Sequence, residues 1–568
     1  DWSSDVCSSD LSQFLRPPIV LLREGTDQSQ GLGQLVSNIN ACHAIGEILS
    51  STLGPRGMDK LIHNGNKNAI VTNDGATVMK ELDIVHPAAQ LLVEVAKSQD
   101  EEIGDGTTSV VVLSCALLDA AKPYLEDGVH PQYICRCFRN ALKEVVRKLE
   151  EIAITINADE REVLESCAAT TLRSKLVSDK REFFAKMIVD AVENLDENLR
   201  LEDLGVKMVK GGGLEDSFFV PGVAFKRTFF YAGFDQQPKH FENPKILLLN
   251  VELELQGASN DSEVRVDDPT KFQEIVDAEW KLIQSKLNNC LNSGANVVLS
   301  KKPIGDIATQ FFADHDIFCA GRVPDEDIKR TAKATGGIIL STTSDIKPEA
   351  LGTCGMFEER QVGKKRINIF TGCKGKAATI VLRGGAKQFL EEAERSIHDA
   401  IMIVRRAKKA GRVVGGAGAV EMTLAKALDE KAMKMDGKSQ LIIQAYAKAL
   451  ENIPRALANN AGYDSFEILN KLRSAHEKEE GRWMGVDIEN GSIIDSIKAF
   501  IWEPLVVKMN ALKAATEAAC TILSVDETVQ IPEHETTFDT GMPGQNAARG
   551  RGAMPMPMPG MPGMPPMQ

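Results

Sequence analysis

Hydrophobic residues recur at helical spacing through most of the first 150 positions of the chain. The apolar series that begins at Leu35 has a period of three to four residues and predicts a helix that stops at the Gly-Pro pair at 54–55. Similar series predict further helices, which begin at Pro87, follow Gly104 as far as about 118, and cover 131–152. A short apolar run at 69–72 predicts a strand. The first part of the chain is therefore predicted to be almost entirely helical.

The pattern changes after the three glycines at 211–213. Short apolar runs typical of buried strands alternate there with helical stretches, which predicts an α/β unit. These runs lie at 246–251, 297–299 and 338–340. Beyond a predicted strand at 378–382 the pattern returns to long helices and stays helical to about residue 525. Because one inserted α/β unit explains both changes, the helical domain is predicted to be discontinuous.

A polar stretch precedes the helix that is predicted to begin at Pro269. Residues 254–268 carry few apolar positions, and such an approach is long for a compact domain. The amphipathic helix that follows fits packing against the core of the α/β unit, and it also fits a projecting arm. The pattern leaves both interpretations open.

Both ends of the chain lack a core-forming pattern. The first residues repeat Ser-Ser-Asp without apolar periodicity, so residues 1–18 are interpreted as a disordered or artefactual leader. The tail at 526–568 ends in Gly, Arg, Met and Pro repeats and is predicted to be disordered.

Composition and charge narrow the possible partners. With 568 residues the chain is long enough for several domains, and its 43% apolar and 26% charged residues are ordinary for a globular protein. The net charge of -14 argues against nucleic acid as a partner. Neither a run of 18 apolar residues nor a secretory signal is recognised, so no membrane partner is expected and a cytoplasmic location is predicted.

Several common site types are not supported by the motifs. The eleven cysteines lack the paired spacing of zinc ligands and are interpreted as buried or free thiols. The chain contains no Gly-x-x-x-x-Gly-Lys-Ser/Thr sequence, which argues against a P-loop. It also lacks Gly-x-Gly-x-x-Gly after a predicted strand, which argues against a dinucleotide-binding fold.

The clearest candidate for a binding site in the sequence is the stretch Gly-Asp-Gly-Thr-Thr-Ser at 104–109. Its two glycines allow a sharp turn, and its hydroxyl residues lie where a helix is predicted to begin. A helix start presents free amide groups that favour phosphate, and the neighbouring Asp105 offers a hard oxygen ligand to Mg²⁺. A metal-bound nucleotide suits both properties, although an N-capped turn without a ligand explains the same residues.

Four other motifs accompany this stretch and carry a resemblance to a known family. They are Leu53-Gly54-Pro55-Arg56-Gly57-Met58-Asp59-Lys60, Asn73-Asp74-Gly75-Ala76-Thr77, His398-Asp399-Ala400 and Glu503-Pro504-Leu505-Val506-Val507-Lys508. Together with 104–109 they stand in the order found in group II chaperonins of the TCP-1/cpn60 family, and the resemblance extends from about residue 19 to 525. A finer resemblance, to one subunit type of the eukaryotic cytosolic chaperonin, rests on residues 22–27, 34–38, 396–406 and 550–552.

The resemblance implies a role for each motif in binding and hydrolysing ATP with Mg²⁺. Asp105 would hold the metal ion, Asp74 and Asp399 would orient and polarise the attacking water, and Lys175 would sense the γ-phosphate. Glu503 would accept hydrogen bonds from the ribose hydroxyls. The other nucleotide-binding residues that the resemblance implies are Leu53, Gly54, Pro55, Gly57, Gly75, Gly106, Thr107, Thr108, Ser109, Gly416 and Gly418.

The family's architecture also implies a multidomain layout. An all-α, discontinuous equatorial domain would bind ATP, an α/β intermediate domain would act as a hinge, and an α/β apical domain with a helical protrusion would meet the substrate. The implied boundaries are 19–155 with 408–525 for the equatorial domain, 156–218 with 375–407 for the intermediate domain, and 219–374 for the apical domain, with a lid segment at 254–287.

On this resemblance the chain is expected to be an ATPase subunit of a molecular chaperone. Its partners would be other chaperonin subunits in a hetero-oligomeric double ring of eight-membered rings. Unfolded proteins, actin and tubulin among them, would fold in the closed cavity of that ring. Two alternatives stay open, namely a ring subunit that binds nucleotide with little turnover and a soluble metabolite phosphotransferase.

One residue departs from the family's pattern. The glycine-rich loop of the family usually has three consecutive glycines, and Ala417 stands at the middle position here. A methyl group at this position is expected to crowd the nucleotide or to forbid a backbone with positive φ. The expected consequence concerns the affinity for adenosine rather than the chemistry.

Overall fold

Five helices account for most of the N-terminal part of the chain. The computed structural model describes residues 27–63, 69–156, 160–196, 199–227, 232–254 and 269–530. The predicted leader, the polar part of the predicted lid and the tail beyond 530 lie outside these residues. The elements up to residue 156 are β1 (Asp27–Gln30), α1 (Leu32–Ser50), β2 (Lys60–Ile62), β3 (Ile70–Thr72), α2 (Gly75–Glu81), α3 (Pro87–Glu102), α4 (Thr107–Glu126), α5 (Pro131–Ile152) and β4 (Ile154–Thr155).

Mixed helices and strands follow in the middle of the chain. Between residues 160 and 227 the elements are α6 (Arg161–Leu172), α7 (Arg181–Glu193), β5 (Leu204–Lys210), β6 (Phe218–Val220) and β7 (Gly222–Lys226). From 232 to 371 they are β8 (His240–Glu242), β9 (Lys245–Leu249), α8 (Pro269–Asn292), β10 (Val297–Ser300), α9 (Asp306–Asp314), β11 (Phe318–Ala320), α10 (Asp325–Thr335), β12 (Ile339–Leu340), β13 (Gly352–Thr353), β14 (Met356–Val362) and β15 (Lys365–Thr371).

The remainder returns to long helices. Its elements are β16 (Ala378–Gly384), α11 (Lys387–Ala410), β17 (Arg412–Gly415), α12 (Ala419–Ala432), α13 (Lys438–Leu450), α14 (Asn452–Asn460), α15 (Ser465–His476), β18 (Met484–Asp487), β19 (Ser492–Asp495), β20 (Trp502–Pro504), α16 (Leu505–Leu523) and β21 (Glu527–Gln530). Residues 30–527 form one compact unit. The strands β1 and β21 pair with each other as a separate two-stranded sheet.

The helical core draws on both ends of the chain. Buried apolar side chains of α1, α3, α4 and α5 form one cluster with those of α12, α13 and α16. Phe138 of α5 packs edge-on against Tyr446 of α13, with ring centroids 5.4 Å apart. The Tyr446 hydroxyl is hydrogen-bonded to Thr516 Oγ1 of α16 at 2.8 Å, so the buried ring keeps its polar atom satisfied. The chain ends are thus held together by the packing of their helices.

Three sheets organise the middle of the chain. β9, β10, β11 and β12 pair in parallel, and their nearly continuous apolar sequences fit strands that are buried on both faces. β7, β15, β14 and β8 form an antiparallel sheet. β16 pairs in parallel with β5 and antiparallel with β6, and α6, α7 and α11 share a hydrophobic core with this third sheet. The observed architecture is therefore a multidomain arrangement of helices and sheets.

The prediction of an all-α equatorial domain is wrong in detail. Within the predicted equatorial ranges, β2 pairs with β3, β18 pairs with β19, and β17 lies between β20 and β4. The apolar run at 69–72 predicted β3, which the structure confirms. The other strands contain two to four residues, which is too short for a period-two pattern to be read from the sequence. The predicted disordered tail likewise begins with a strand, β21. The predicted domain boundaries themselves stay predictions.

Helix α4 lies at the centre of the helical core. By length and composition it is also the helix that could cross a membrane, among the residues that the structure describes. Of the apolar stretch of α4 that is long enough to cross a membrane, 61% is buried inside the protein. Because its faces are covered by α1, α3 and α16, its apolar composition serves a core helix.

Candidate active site

A cavity of about 370 Å³ opens where the two halves of the helical part meet. It lies between the N-terminus of α4, the turn after α1, the segment after α6, the start of α12 and the strand β20. The predicted site residues that line it are Leu53, Gly54, Pro55, Asp74, Asp105, Gly106, Thr107, Thr108, Ser109, Lys175, Gly418 and Glu503. The structure thus brings together residues that are up to 450 positions apart in the sequence.

The stretch 104–109 forms the first wall of the cavity. Gly104 and Gly106 have φ values of 83° and 77°, a conformation that favours glycine. At position 104 a side chain would also meet Met402 at 2.7 Å. Helix α4 begins at Thr107, and its N-cap residue Gly106 supplies no side-chain cap. The first-turn amide groups are therefore directed to the cavity side without a capping side chain, as anion binding requires.

Asp105 is held at the rim of the same wall. Its carboxylate Oδ1 accepts a hydrogen bond from the amide of Gly106 at 2.6 Å. Its carbonyl oxygen accepts a hydrogen bond from Gln99 Nε2 at 2.9 Å, and Gln99 is in turn held by Asn510 of α16. Burial raises the pKa of Asp105, and the Lys175 ammonium opposes that rise.

The carboxylate of Asp105 fits Mg²⁺ that arrives with a nucleotide. No cluster of three or more metal-ligating side chains occurs among the described residues. Mg²⁺ commonly takes one or two protein carboxylates and completes its shell with phosphate oxygens and water. One fixed carboxylate beside a helix N-terminus meets that pattern, whereas a metal ion held by protein ligands alone would not be satisfied here.

Asp74, Lys175 and Asp399 form a buried charged group next to Asp105. Lys175 Nζ lies 2.8 Å from Asp399 Oδ2 and 3.7 Å from Asp74 Oδ1, and the Lys175 side chain is 8% exposed. Burial acts to lower the pKa of Lys175, but the carboxylates of Asp399 and Asp74 outweigh it and raise this pKa. Burial raises the pKa of Asp399 well above its usual value, although Lys175 opposes the effect. Asp399 lies behind the cavity lining, in contact with Lys175.

Asp74 is the N-cap residue of α2. Its Oδ2 accepts hydrogen bonds from the amide and the hydroxyl of Thr77 at 3.0 and 2.8 Å, and its Oδ1 accepts one from Thr107 Oγ1 at 3.1 Å. Burial acts to raise the pKa of Asp74, but Lys175 and the hydrogen bonds from Thr77 and Thr107 lower it overall. Asp74 is therefore an ionised and immobile carboxylate.

Three of the predicted glycines act behind the cavity wall. A side chain at Gly57 would clash with the carbonyl oxygen of Thr52, and one at Gly75 would meet Thr108 Oγ1 at 2.7 Å. At Gly416 a side chain would meet Glu503 Oε1 at 2.5 Å. None of these three positions lines the cavity. They permit a tight turn, the approach of α2 to α4, and the seating of Glu503.

Glu503 occupies the opposite wall, on β20. Its Oε2 lies 3.0 Å from Lys508 Nζ, and the same ammonium lies 2.7 Å from Glu421 Oε1. Burial raises the pKa of Glu503, and Lys508 opposes the rise. A quarter of the Glu503 side chain remains exposed, toward the cavity.

The TCP-1/cpn60 chaperonin family model matches residues 45–532. The chain belongs to this chaperonin family. It is 57% identical to the T-complex protein 1 subunit eta of Dictyostelium discoideum over 96% of this chain and 99% of that protein. The eta subunit of Homo sapiens is 56% identical over 94% of this chain and 98% of that protein, and the one of Saccharomyces cerevisiae is 54% identical over 95% and 99%.

These comparisons confirm the resemblance to chaperonins, including the finer one, which was to eta subunits. They favour a chaperonin subunit over a metabolite phosphotransferase. Chaperonins are in general ATP-dependent proteins of several subunits that bind nucleotides. Nucleotide binding agrees with a cavity that is lined by the predicted nucleotide-binding residues. The role of each site residue stays a prediction.

The glycine-rich loop of this chaperonin tolerates its alanine. Ala417 has a φ of 56°, so the methyl group does not forbid a backbone with positive φ, contrary to the prediction. Its carbonyl oxygen accepts a hydrogen bond from the amide of Val486 at 2.9 Å, which fixes the loop. A side chain at Gly485 would meet the Ala417 Cβ at 2.9 Å, so a glycine leaves room for this methyl group. Whether the methyl group crowds a nucleotide stays a prediction, because Ala417 lines the cavity.

Replacing Ala417 by glycine is expected to raise the free energy of unfolding by about 0.5–1 kcal/mol. A non-glycine residue in the left-handed region costs about 1–2 kcal/mol, and the greater freedom of glycine in the unfolded chain offsets part of this relief. The matched control is Ala514→Gly within α16, which should lower stability by about 1 kcal/mol. Native-state hydrogen exchange of the amide groups around each substituted residue, in both full-length variants, measures the effect as a free energy of local opening. A loss of stability in Ala417→Gly would show that the loop holds no strain.

The sequence motifs missed several residues of this chaperonin's cavity. Asp487 ends β18 and Asn490 lies in the turn that follows, and Asp487 Oδ2 accepts a hydrogen bond from Asn490 Nδ2 at 2.9 Å. Apolar side chains complete that end of the cavity, and they are Ile453, Leu457, Val486, Ile488, Ile494 and Ile501. An Asn-Gly turn signal was present at 490–491, but it does not identify a binding residue. Lys508 stood inside a quoted motif without an assigned role.

Proposed function

We propose that the chain is an ATP-hydrolysing subunit of a hetero-oligomeric chaperonin double ring of eight-membered rings. The ring would fold unfolded proteins in its closed cavity, in the cytoplasm. The observation that carries the proposal is the buried group of Asp74, Lys175 and Asp399 beside the uncapped N-terminus of α4. The names of the relatives, subunits of T-complex protein 1, support assembly with other subunits.

Each residue of the site would have a separate role in phosphoryl transfer. Bound ATP with Mg²⁺ would supply the transferable phosphoryl group and the positive charge that neutralises its oxygens. The amide groups of Thr107, Thr108 and Ser109 would bind phosphate, and Asp105 would hold the metal ion. Asp399, held by Lys175 at 2.8 Å, would accept a proton from the attacking water. Asp74 would orient the same water, since Thr77 and Thr107 fix its carboxylate.

Lys175 connects the chemistry to a domain movement. Lys175 and Asp399 belong to the predicted intermediate domain, whereas Asp74 and Asp105 belong to the predicted equatorial domain. Their contact couples the two parts, because the γ-phosphate offers Lys175 an alternative anionic partner. We infer that nucleotide turnover shifts the population of hinge positions and so closes the predicted lid at 254–287. Residues 255–268 of that segment lie outside the described structure.

Replacing Asp105 by asparagine tests the proposed function. The affinity of the full-length chain for ATP is measured calorimetrically with Mg²⁺ and with a chelator. The unaltered chain should bind ATP more tightly with Mg²⁺ than with the chelator. In the variant this ratio of affinities should be smaller by a factor of at least about ten, because Mg²⁺ loses its protein carboxylate. Glu101→Gln is the matched control, because Glu101 is an exposed carboxylate four residues upstream. An unchanged dependence on Mg²⁺ in Asp105→Asn would contradict the assignment.

A further inference from the structure

Lys508 lies between two carboxylates at the end of the cavity where Glu503 is found. Its Nζ lies 2.7 Å from Glu421 Oε1 and 3.0 Å from Glu503 Oε2. The Lys508 and Glu421 side chains are 11% and 7% exposed, whereas the Glu503 side chain is 25% exposed and lines the cavity. The ammonium therefore joins a buried carboxylate to one that a ligand can reach.

Three different elements are brought together by this contact. Glu503 is on β20, Lys508 is in the first turn of α16, and Glu421 is in the first turn of α12. β20 is fixed by its pairing with β17, in which Glu503 lies opposite Val414. On the other side of the carboxylate, the missing side chain of Gly416 leaves the space that Oε1 occupies. Both oxygens of the Glu503 carboxylate therefore have a defined place, Oε1 in the space beside Gly416 and Oε2 at Lys508 Nζ.

The charges of the group select the chemistry of its ligand. Two carboxylates and one ammonium leave the group with a net negative charge. Burial acts to lower the pKa of Lys508, but Glu421 and Glu503 outweigh it and raise this pKa, so the ammonium stays protonated. A negative, acceptor-only carboxylate disfavours phosphate and binds hydroxyl donors. Glu503 is therefore suited to vicinal hydroxyl groups such as those of a ribose.

We propose that Lys508 is a positioning residue that, itself held by Glu421, fixes Glu503 so that the site selects nucleotides with ribose hydroxyls. This inference rests on the proposed function, because it assumes that ATP occupies the cavity. Without Lys508 the Glu503 carboxylate would lose its fixed partner and would hydrate or rotate within the cavity. Its hydrogen bonds to the hydroxyls would then be lost, while the phosphate contacts at α4 would be kept.

The test compares the affinities of the full-length chain for ATP and for 2′,3′-dideoxy-ATP. Hydrogen bonds to a charged group of about 1.5–3 kcal/mol correspond to a preference for ATP of roughly 10- to 100-fold in the unaltered chain. Lys508→Met and Glu503→Gln should each reduce this preference to below about threefold. The ratio of two affinities does not depend on the fraction of folded protein, so a merely structural role of Lys508 would leave it unchanged.

Two further variants keep the test decisive. Lys513→Met removes an exposed lysine of the same helix and should retain the full preference. Because Lys508→Met leaves the buried carboxylate of Glu421 without its ammonium partner, Lys508→Met/Glu421→Gln removes that charge and should show the same reduced preference. A full preference in both Lys508 variants overturns the inference. Absence of any preference in the unaltered chain, with ATP still bound, overturns it as well and leaves the proposed function standing. If ATP does not bind at all, both fail.

Discussion

Asp399→Ala is expected to leave ATP bound at this subunit and to slow its hydrolysis there by about 10³-fold. Proton transfer to a positioned side chain contributes about 10²–10⁴-fold to catalysis, and the ammonium of Lys175, 2.8 Å from Asp399 Oδ2, fixes the position of this carboxylate. The residues that would hold the phosphates and Mg²⁺ belong to α4 and the turn before it, so the variant keeps them. Single-turnover hydrolysis and equilibrium ATP binding, both measured on assembled rings in which this subunit alone is altered, separate the two effects.

The matched control for this variant is Asp127→Ala. Asp127 is an exposed aspartate at the other end of α4, about 30 Å from the cavity by the rise of a 20-residue helix. It should hydrolyse ATP at the rate of the unaltered subunit. Unchanged turnover of assembled rings that carry Asp399→Ala in this subunit alone would contradict the assignment. It would revive the alternative in which the subunit binds nucleotide with little turnover of its own.

Lys175→Met is expected to destabilise the contact between the segments that carry Asp74 and Asp399 by about 3–5 kcal/mol at neutral pH. Removing one partner of a buried ion pair leaves an uncompensated charge, and here one ammonium serves two carboxylates. Native-state hydrogen exchange of the α11 amide groups around Asp399 reports the free energy of local opening. This measurement suits a chain of several domains better than one global unfolding transition does.

The loss of local stability caused by Lys175→Met should become smaller as the pH falls. Burial raises the pKa of Asp399, whereas an aspartate in the unfolded chain titrates near 4. At pH values above about 4 and below the raised pKa of Asp399, the folded variant binds more protons than the unfolded one, so its stability rises as the pH falls through this range. Lys186→Met, at an exposed position of α7, should change stability by less than about 0.5 kcal/mol. A loss of stability that does not change with pH would assign the effect to packing instead of charge.

Local sequence patterns predicted the long helices well. Helix α5 covers Pro131–Ile152 as expected, because proline suits the first turn of a helix and the apolar residues repeat along one face. Helix α4 begins at Thr107 as the Gly-Asp-Gly turn indicated, although it continues to Glu126 beyond the predicted end near 118. The sheet around β17 escaped prediction because β17 pairs with β4 and β20, which are distant in the sequence and contain two or three residues each.

In the candidate site, too, features within one turn of the chain could be predicted from the sequence, whereas contacts between distant residues could not. The motif around Asp105 could be interpreted locally, since its glycines and hydroxyls act within one turn. The contact of Lys508 with Glu421 joins positions 87 residues apart, and nothing in either local pattern indicates it. Gly75 and Gly416 were assigned to the nucleotide, yet their absent side chains make room for Thr108 and Glu503. Sequence alone does not distinguish a glycine that meets a ligand from one that meets another part of the chain.

The shared core of the first and last helices sets an order of events during synthesis on the ribosome. Helices α1 to α5 are complete once residue 152 has been made, but α16, which covers them, ends only at Leu523. At about 5–20 residues per second, the intervening stretch of roughly 370 residues takes about 20–70 s. During this time the apolar faces of α4 and α5 lack their final neighbours. A nascent chain of this subunit therefore exposes apolar helix faces, and is open to aggregation, until its last helix has been made.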